Sequence, residues 1–330
     1  MTRIGIVYND PVPGKLSNLG ESGAVLSVLE SVSNVKKALE TLGYEVQTLP
    51  LRSPISLAET ELAKLKVDMV FNLFEGFDDI PGSEATIAQA MEKLHLCVTG
   101  SPSRALRLAQ NKAEEKDFLR LNNIPSPNWQ LLSPETVADF KLNFPCIVKP
   151  VGEHASHGIS KDSVVETTES LRQRVEFIYS SYLCPSLVEE FISGREFSVL
   201  VMGNEDPRVF PIEEIIYTLP SYEPHILTYA AKWVPGDEYF IHTQDKCPAE
   251  LTPELLKQAA AIATRAFKVF GCRGYARVDM RQAENGELLV LELNPNPDVS
   301  STGGARLQAE AAGMGYVTFI REIVTLARAA

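Results

Sequence analysis

A predicted β-hairpin brings together two carboxylates in the last third of the sequence. The dipeptide Asn-Gly at residues 285–286 is typical of a tight hairpin turn, and it separates two apolar runs at residues 275–280 and 288–293. With this dipeptide as a two-residue turn, Asp279 lies directly opposite Glu292. Carboxylates that face each other across two strands repel, so the arrangement needs a positive partner.

The neighbours of these carboxylates predict a site for hard cations. The same register places Arg277 opposite Asn294, on the face that carries Asp279 and Glu292, because side chains alternate along strands. Opposite Cβ atoms lie roughly 5 Å apart, a gap that suits one or two divalent cations with oxygen ligands. Considered alone, the hairpin is equally consistent with a solvated ion-pair patch in which Arg277 neutralises Asp279.

A lysine and a loop of small residues predict a phosphate site. Lys149 ends the apolar strand expected at residues 144–151, and an inward-facing lysine needs an anionic partner such as phosphate. The loop at residues 152–158 could close over phosphates with its backbone N–H groups. His154 and His157 in this loop have metal-like spacing, but no third ligand lies nearby in the sequence, so free surface histidines are the simpler interpretation.

An apolar strand interrupted by acidic residues could bind adenosine. Residues 188–192 read Val-Glu-Glu-Phe-Ile, and exposed backbone here could contact an adenine edge, while Glu196 on the next strand could accept the ribose hydroxyls. A solvated turn between two strands is the alternative. The sequence has no Gly-x-Gly-x-x-Gly after its first strand and no Walker motif, which argues against a nicotinamide cofactor and a P-loop.

The first third of the sequence has the pattern of a parallel sheet. Short apolar strands alternate with amphipathic helices, which is typical of α/β architecture. The strands are expected at residues 3–9, 45–51 and 67–74, and the helices at 33–42 and 83–94.

The rest of the sequence has a different pattern. One helix is expected over residues 103–121, and an irregular segment at 217–247 is expected to form a lid. Between the helix and this segment, three strands follow one another directly, as in antiparallel sheets. They are expected at residues 186–192, 195–202 and 208–216. We therefore expect an α/β N-terminal domain at residues 1–102 and two α+β domains at residues 103–186 and 187–330.

Composition excludes several classes of protein. The 330 residues carry a net charge of −12, which argues against nucleic acid or an anionic membrane as a partner, since both require a basic surface. No stretch approaches the roughly 20 apolar residues of a membrane span, and the start of the sequence reads as a strand rather than a secretory signal. The five cysteines are dispersed, which fits a reducing, cytoplasmic environment.

Five short motifs occur in an order that is similar to one family. They are Asn111-Lys112, Lys149-Pro150, the run at 189–197, Arg277-Val278-Asp279 and Glu292-Leu293-Asn294. Together they resemble the ATP-grasp ligases, and within them the D-alanine–D-alanine ligase group. The resemblance implies an ATP-grasp fold and a reaction in which ATP phosphorylates a carboxylate and an amine then displaces the phosphate.

The resemblance also implies roles for individual residues. ATP would be bound by Lys112, Lys149, Ser156, Glu189, Glu190, Phe191, Ile192 and Glu196. Two Mg²⁺ ions would be held by Asp279, Glu292 and Asn294. In catalysis, Lys232 would reach the terminal phosphate, and Arg277 would stabilise the oxyanion that forms when the amine attacks.

The substrate-binding positions depart from the family pattern. The paired-serine loop has alanine at its first serine, and Trp233 stands where a tyrosine follows the loop lysine. The candidates for substrate contact are Glu21, Phe74, Glu75, Trp233 and Asp298. Asp298 replaces a glycine and would repel the carboxylate of an amino-acid acceptor. We therefore expect a ligase for small-molecule acid and amine substrates, expected to be amino acids other than two D-alanines, with a homodimer left open as its assembly.

Two other functions remain as alternatives. One is a genuine D-alanine–D-alanine ligase with divergent contacts. The other is an ATP-binding protein that has lost catalysis, which the complete set of phosphate, metal and oxyanion residues disfavours. Release of ADP would separate the inactive protein from both ligases.

Overall fold

The computed structural model describes residues 2–12, 14–78 and 80–329, which form three β-sheets flanked by helices. Within these residues no helix is both long and apolar enough to span a bilayer. The three sheets follow one another along the chain, and the second and third sheets contribute residues to a central cleft.

The first sheet is parallel, as its alternating strands and helices predicted, with strand order β2-β1-β3. Its elements are β1 (Arg3–Asn9), α1 (Lys15–Asn18), α2 (Ser22–Thr41), β2 (Glu45–Leu51), α3 (Ile55–Lys64), β3 (Met69–Leu73) and α4 (Ser83–Lys93). Helix α2 begins well before the predicted residue 33, because Ala24, Val28 and Val32 continue its buried face at four-residue spacing. Helix α3 was not predicted.

The single helix predicted over residues 103–121 is wrong, because two helices occupy that segment. They are α5 (Ser103–Gln110) and α6 (Lys112–Leu121). The break lies at Asn111, whose side-chain oxygen accepts hydrogen bonds from the backbone N–H groups of Ala113 at 3.0 Å and Glu114 at 3.2 Å. Asparagine is among the best N-terminal helix caps, so it starts a new helix here.

The second sheet is antiparallel, with strand order β4-β7-β5-β6. Its elements are β4 (Trp129–Leu132), β5 (Cys146–Pro150), β6 (Val164–Val165), α7 (Thr168–Tyr182) and β7 (Ser186–Glu190). We expected β7 to pair with the strands that follow it, and this was wrong. It pairs with β4 and β5 instead, and it places Glu189 opposite Ile147.

The third sheet is the largest, with strand order β11-β10-β8-β12-β13 and a short β9 on β8. Its strands are β8 (Glu196–Gly203), β9 (Arg208–Val209), β10 (Glu213–Tyr217), β11 (Thr243–Lys246), β12 (Gly274–Gln282) and β13 (Leu288–Asn294). The accompanying helices are α8 (Tyr229–Trp233), α9 (Glu238–Ile241), α10 (Pro253–Phe270), α11 (Gly304–Ala311) and α12 (Tyr316–Arg328). Helices α8 and α9 lie in the segment predicted to be an irregular lid.

One hydrophobic core joins the first and third sheets. Phe71 of β3, Tyr275 of β12 and Phe319 of α12 are fully buried in it. Because this core is continuous, the face of the first sheet is held against the end of the hairpin. We propose that the domains follow the sheets, with the first boundary at residue 102 and the second moved from residue 186 to the end of β7, so that β7 stays with its partners.

Candidate active site

The hairpin places the two carboxylates as predicted, but its turn differs. Asp279 pairs with Glu292, and Arg277 pairs with Asn294. The predicted two-residue turn is wrong: the loop has three residues, 284–286, and is closed by a backbone hydrogen bond of 2.8 Å from Ala283 N–H to the carbonyl of Glu287.

A β-bulge compensates for this longer turn. Next to the turn the strands are offset by one residue, with Met280 opposite Val290, and the register changes between Asp279 and Met280. Leu291 is therefore the extra residue in β13. This bulge restores the predicted pairing at the carboxylates and brings Leu291, expected on the opposite face, to the wall of the cleft.

Both carboxylates have cationic neighbours. The Arg277 guanidinium donates two hydrogen bonds of 2.8 Å to the two oxygens of Asp279, and Ser198 donates a third of 2.6 Å. Lys112 Nζ lies 4.0 Å from a carboxylate oxygen of Glu292. Burial opposes ionisation of Glu292, but its cationic neighbours, led by Lys112, hold its pKa at about 2. Glu292 is therefore ionised at neutral pH.

The donor set at this position fits Mg²⁺. Asp279, Glu292 and Asn294 provide carboxylate and amide oxygens, which are the ligands that hard cations prefer. Among the described residues no three His, Cys, Asp or Glu side chains form a metal-binding group. Mg²⁺ commonly takes only one or two protein carboxylates and completes its shell with water and substrate phosphates, so two carboxylates suffice beside a phosphate site.

A cleft between the second and third sheets adjoins the carboxylates. It encloses about 840 Å³, including the part open to solvent. It brings together the residues predicted to bind nucleotide, which come from the second and third sheets, from helices α6 and α8, and from loops. Those in its wall are Lys112, Lys149, Ser156, Glu189, Glu190, Phe191, Ile192, Glu196, Lys232, Asp279 and Glu292.

One end of the cleft combines an apolar wall with a fixed carboxylate. Glu196 accepts hydrogen bonds from Arg281 at 2.6 Å and from the Tyr217 hydroxyl at 2.6 Å. Burial opposes ionisation of Glu196, but Arg281 lowers its pKa below the usual value. Phe191 and Ile192 lie in the wall beside it. Arg281 was not identified from the sequence, because only the pairing of β12 with β8 brings it opposite Glu196.

A buried ion-pair triad lies beneath the phosphate-binding end of the cleft. The carboxylate of Glu189 is 2.7 Å from Lys116 Nζ on one side and 2.7 Å from Lys149 Nζ on the other. Burial opposes ionisation of Glu189, but the two lysines hold its pKa at about 2. Lys116 was missed in the sequence, where its position on α6 gave no sign of a distant partner.

The loop at residues 152–158 is held closed by other segments. Ser156 donates to the carbonyl of Leu227 at 2.9 Å, and the Trp233 indole donates to the carbonyl of Ala155 at 3.1 Å. These bonds join the loop to the predicted lid segment. Two of the predicted site residues, Ser156 and Trp233, thus fix the loop over the cleft.

Glu21 contacts the same loop. Its carboxylate lies 2.8 Å from His157 Nδ1 and accepts a hydrogen bond of 3.1 Å from the N–H of Gly158. His157 is buried, so its interpretation as a surface histidine was wrong; His154 is solvent-accessible at the cleft wall. Because its carboxylate is engaged here, Glu21 positions the loop.

Acidic groups surround the end of the hairpin nearest the first sheet. Asp298 accepts from the Ser31 hydroxyl at 3.0 Å and from the Ser300 hydroxyl at 2.7 Å. Glu75 is solvent-accessible, yet the pKa of its carboxyl is raised to about 8. The larger cause is desolvation by the surrounding protein, and the second is the negative charge of Asp298. The ring of Phe74 is fully buried, so this candidate can offer a substrate only its backbone.

Glu213, buried behind the carboxylates on β10, gives a stability prediction. Burial, and then Asp245, raise its pKa to about 7. A carboxyl with a raised folded-state pKa binds its proton more tightly when folded, so stability falls as pH rises from the unfolded pKa of about 4.3 through 7. Glu213→Gln should therefore stabilise the protein at pH 8 by at most about 4 kcal/mol, which would appear as a higher thermal midpoint. At pH 4 the midpoint should be nearly unchanged.

The neighbouring residue supplies the control. Glu214→Gln breaks an ion pair of 2.6 Å with Arg195 and should give no gain at pH 8. Melting curves recorded between pH 4 and pH 8 by circular dichroism would measure both. Identical pH profiles for the wild type and Glu213→Gln would refute the assignment.

Comparisons with known proteins agree with this arrangement. Residues 119–325 match the family model described as the D-ala D-ala ligase C-terminus. The chain is 31% identical to D-alanine–D-alanine ligase B of Chromobacterium violaceum, over 89% of this chain and 88% of that protein. It is 32% identical to the uncharacterized protein y4sG of Sinorhizobium fredii, over 78% of this chain and 74% of that protein.

Solved structures show the same fold. The D-alanine–D-alanine ligase of Bacillus anthracis superimposes with a TM-score of 0.76 at 20% identity, covering 100% of this chain and 98% of that one. The VanG D-Ala:D-Ser ligase of Enterococcus faecalis superimposes with a TM-score of 0.74 at 18% identity, covering 99% of each chain. With the family match spanning more than half of its residues, the chain belongs to the D-alanine–D-alanine ligase family of ATP-grasp carbon–nitrogen ligases.

Proposed function

We propose that the protein joins a carboxylic acid to an amine through an acyl-phosphate, using ATP and two Mg²⁺ ions. The observation that carries this proposal is the pairing of Asp279 with Glu292 beside Arg277, at the edge of a cleft lined by lysines. A metal site next to a phosphate site is the arrangement that phosphoryl transfer requires.

Different residues of the cleft bind the adenine, the ribose and the phosphates of ATP. Phe191 and Ile192, with the backbone from Glu189 to Glu190, hold the adenine, and Glu196 accepts the ribose hydroxyls. The ammonium groups of Lys112, Lys149 and Lys232 neutralise the polyphosphate in a site with little water, where such charges act strongly. A structure of the Bacillus anthracis ligase with bound ATP, which has the same fold at 19% identity, supports a nucleotide in this cleft.

The reaction then proceeds in two steps. The carboxylate of the acid attacks the terminal phosphorus, the bond to the bridging oxygen breaks, and ADP leaves. Mg²⁺ held by Asp279, Glu292 and Asn294 would neutralise the charge on the transferring phosphoryl group. The amine next attacks the acyl carbon, Arg277 stabilises the resulting oxyanion, and phosphate leaves to give the amide.

The lid protects the acyl-phosphate from water. Tyr229 on α8 accepts a hydrogen bond of 2.9 Å from the N–H of Gly23, and Trp233 bonds the loop at residues 152–158. The segment at residues 217–247 is thereby tied to both the loop and the first sheet's helices. A closed lid excludes water, which would otherwise hydrolyse the intermediate.

The amine substrate carries a second, cationic group. Asp298 is solvent-accessible and accepts hydrogen bonds from hydroxyl groups. Its negative charge also contributes to the raised pKa of Glu75. A carboxylate on the incoming amine would be repelled by the charge of Asp298, whereas a cation would be attracted.

Release of ADP tests the reaction and its substrates together. D-alanine alone should release little ADP, and acid–amine pairs that include a diamine or a basic amino acid should release more. Strong release with D-alanine alone would favour the D-alanine–D-alanine ligase and overturn the substrate proposal. The absence of release from every pair would favour a protein without catalysis.

Asp298→Asn tests the cationic group directly. With the best pair, the KM of the cationic amine should rise about tenfold, equivalent to about 1.4 kcal/mol, while the KM of ATP stays within threefold. Glu30→Gln, at an exposed carboxylate that contacts nearby Thr302, is the control and should change neither value. An unchanged amine KM in Asp298→Asn would eliminate this contact.

A further inference from the structure

Lys116 is buried on the face of α6 that carries Lys112, four residues earlier. It is 1% exposed, among the least exposed charged residues described. Its ammonium group lies 2.7 Å from the carboxylate of Glu189 and donates hydrogen bonds to the carbonyls of Leu291 at 2.6 Å and Val290 at 3.1 Å. Burying a lysine is costly unless its charge is paired and its N–H groups are bonded. Here Glu189 pairs the charge, and two carbonyls accept hydrogen bonds.

The charges of the triad leave one lysine in excess. Glu189 carries one negative charge, and Lys116 and Lys149 carry one positive charge each, so the group has a net charge of +1. Lys149 lines the cleft, whereas Lys116 is sealed beneath it. Because Lys116 already neutralises Glu189, the charge of Lys149 remains available to an anion in the cleft.

The same lysine stabilises the β-bulge. An extra residue in a strand leaves backbone groups without their ladder partners, and Lys116 bonds two carbonyls at that point. Next to it on α6, Glu115 accepts a hydrogen bond of 2.5 Å from the N–H of Leu293. Helix α6 thus fixes the backbone on both sides of Glu292 and with it the register that places Glu292 opposite Asp279.

We propose that Lys116 is a positioning residue for nucleotide binding, which acts through Glu189 and the bulge without contact with the ligand. This inference rests on the proposed binding of phosphate by Lys149. In the absence of Lys116, the charge of Glu189 would be balanced by Lys149 alone. The net charge of the triad would then fall from +1 to zero.

The test is calorimetric binding of Mg²⁺·ADP and of adenosine to the full-length protein. In Lys116→Gln the amide can still donate to the Leu291 carbonyl but carries no charge. The affinity for Mg²⁺·ADP should fall about tenfold or more, equivalent to about 1.4 kcal/mol, while that for adenosine changes less than threefold. A merely structural role would weaken both ligands equally, and that result, or unchanged ADP binding, would overturn the proposal.

A second variant tests the charge balance. Lys116→Gln/Glu189→Gln leaves Lys149 as the single charge of the triad, so the net charge is again +1. Its affinity for Mg²⁺·ADP should return to within about threefold of the wild type, and a loss of more than tenfold would overturn the proposal. If Lys116→Gln fails to fold, the double variant can still be measured. It removes the Glu189 carboxylate, which the single substitution leaves buried without one of its two lysine partners.

Binding measurements on the wild-type protein distinguish a failure of this inference from a failure of the proposed function. If the wild type binds Mg²⁺·ADP but Lys116→Gln binds it equally well, only the role of Lys116 is refuted. If the wild type binds neither ADP nor adenosine, the nucleotide site itself is refuted, and the role of Lys116 with it.

Discussion

Asp279→Asn is expected to abolish turnover and leave the protein folded. The amide keeps the size of the side chain and can still accept from Ser198 and Arg277, so the hairpin should persist. It removes one of the two carboxylates paired across the hairpin, and metal-derived charge stabilisation amounts to several kcal/mol. ADP release should therefore fall by about 10³-fold or more.

An exposed carboxylate outside the cleft wall provides the control for this substitution. Asp206 lies between β8 and β9, and Asp206→Asn should retain activity within about threefold of the wild type. Circular dichroism melts and titrations with Mn²⁺ as a probe would check the fold and the metal site separately. Wild-type activity in Asp279→Asn would refute the metal assignment.

Arg277→Lys should reduce kcat and change ATP binding little. Burial opposes the charge of Arg277, but Asp279 raises its pKa above the usual value, so the guanidinium is permanently charged. Lysine keeps the charge beside Asp279 and loses the planar, two-pronged geometry, so the developing oxyanion loses a fixed donor. Loss of one such donor costs about 10²- to 10³-fold in kcat, and the KM of ATP should remain within threefold.

Arg273→Lys is the matched control. Arg273 lies just before β12 and contacts the carbonyl of Gly100 at 3.4 Å, away from the cleft wall. Its kinetic constants should equal those of the wild type. A raised KM for ATP with an unchanged kcat in Arg277→Lys would move Arg277 from the amine-attack step to the binding of nucleotide.

The local patterns of the sequence were sufficient for the first sheet and for one face of the active site. Alternation of strands with helices predicted the parallel first sheet, because apolar periodicity determines which faces must be buried. The side-chain alternation of the hairpin placed Arg277 and Asp279 on one face, since that alternation depends only on the strand itself.

The tertiary structure decided the features that depend on distant partners. The register of the carboxylates agrees with the prediction only because a bulge at Leu291 offsets the longer turn, and the lysine that stabilises this bulge lies 175 residues away in the chain. The sheet to which β7 belongs, and hence the triad around Glu189, is likewise set by pairing with β5.

The contacts of Glu21 follow the same principle. Its partners lie 136 and 137 residues away, and no local pattern could show that its carboxylate contacts this loop. Spacing and periodicity thus determined the strands of the first sheet, the hairpin and the chemical types available at the site. Which charges meet was decided by long-range packing, because an ion pair forms only where folding has already brought its two backbones together.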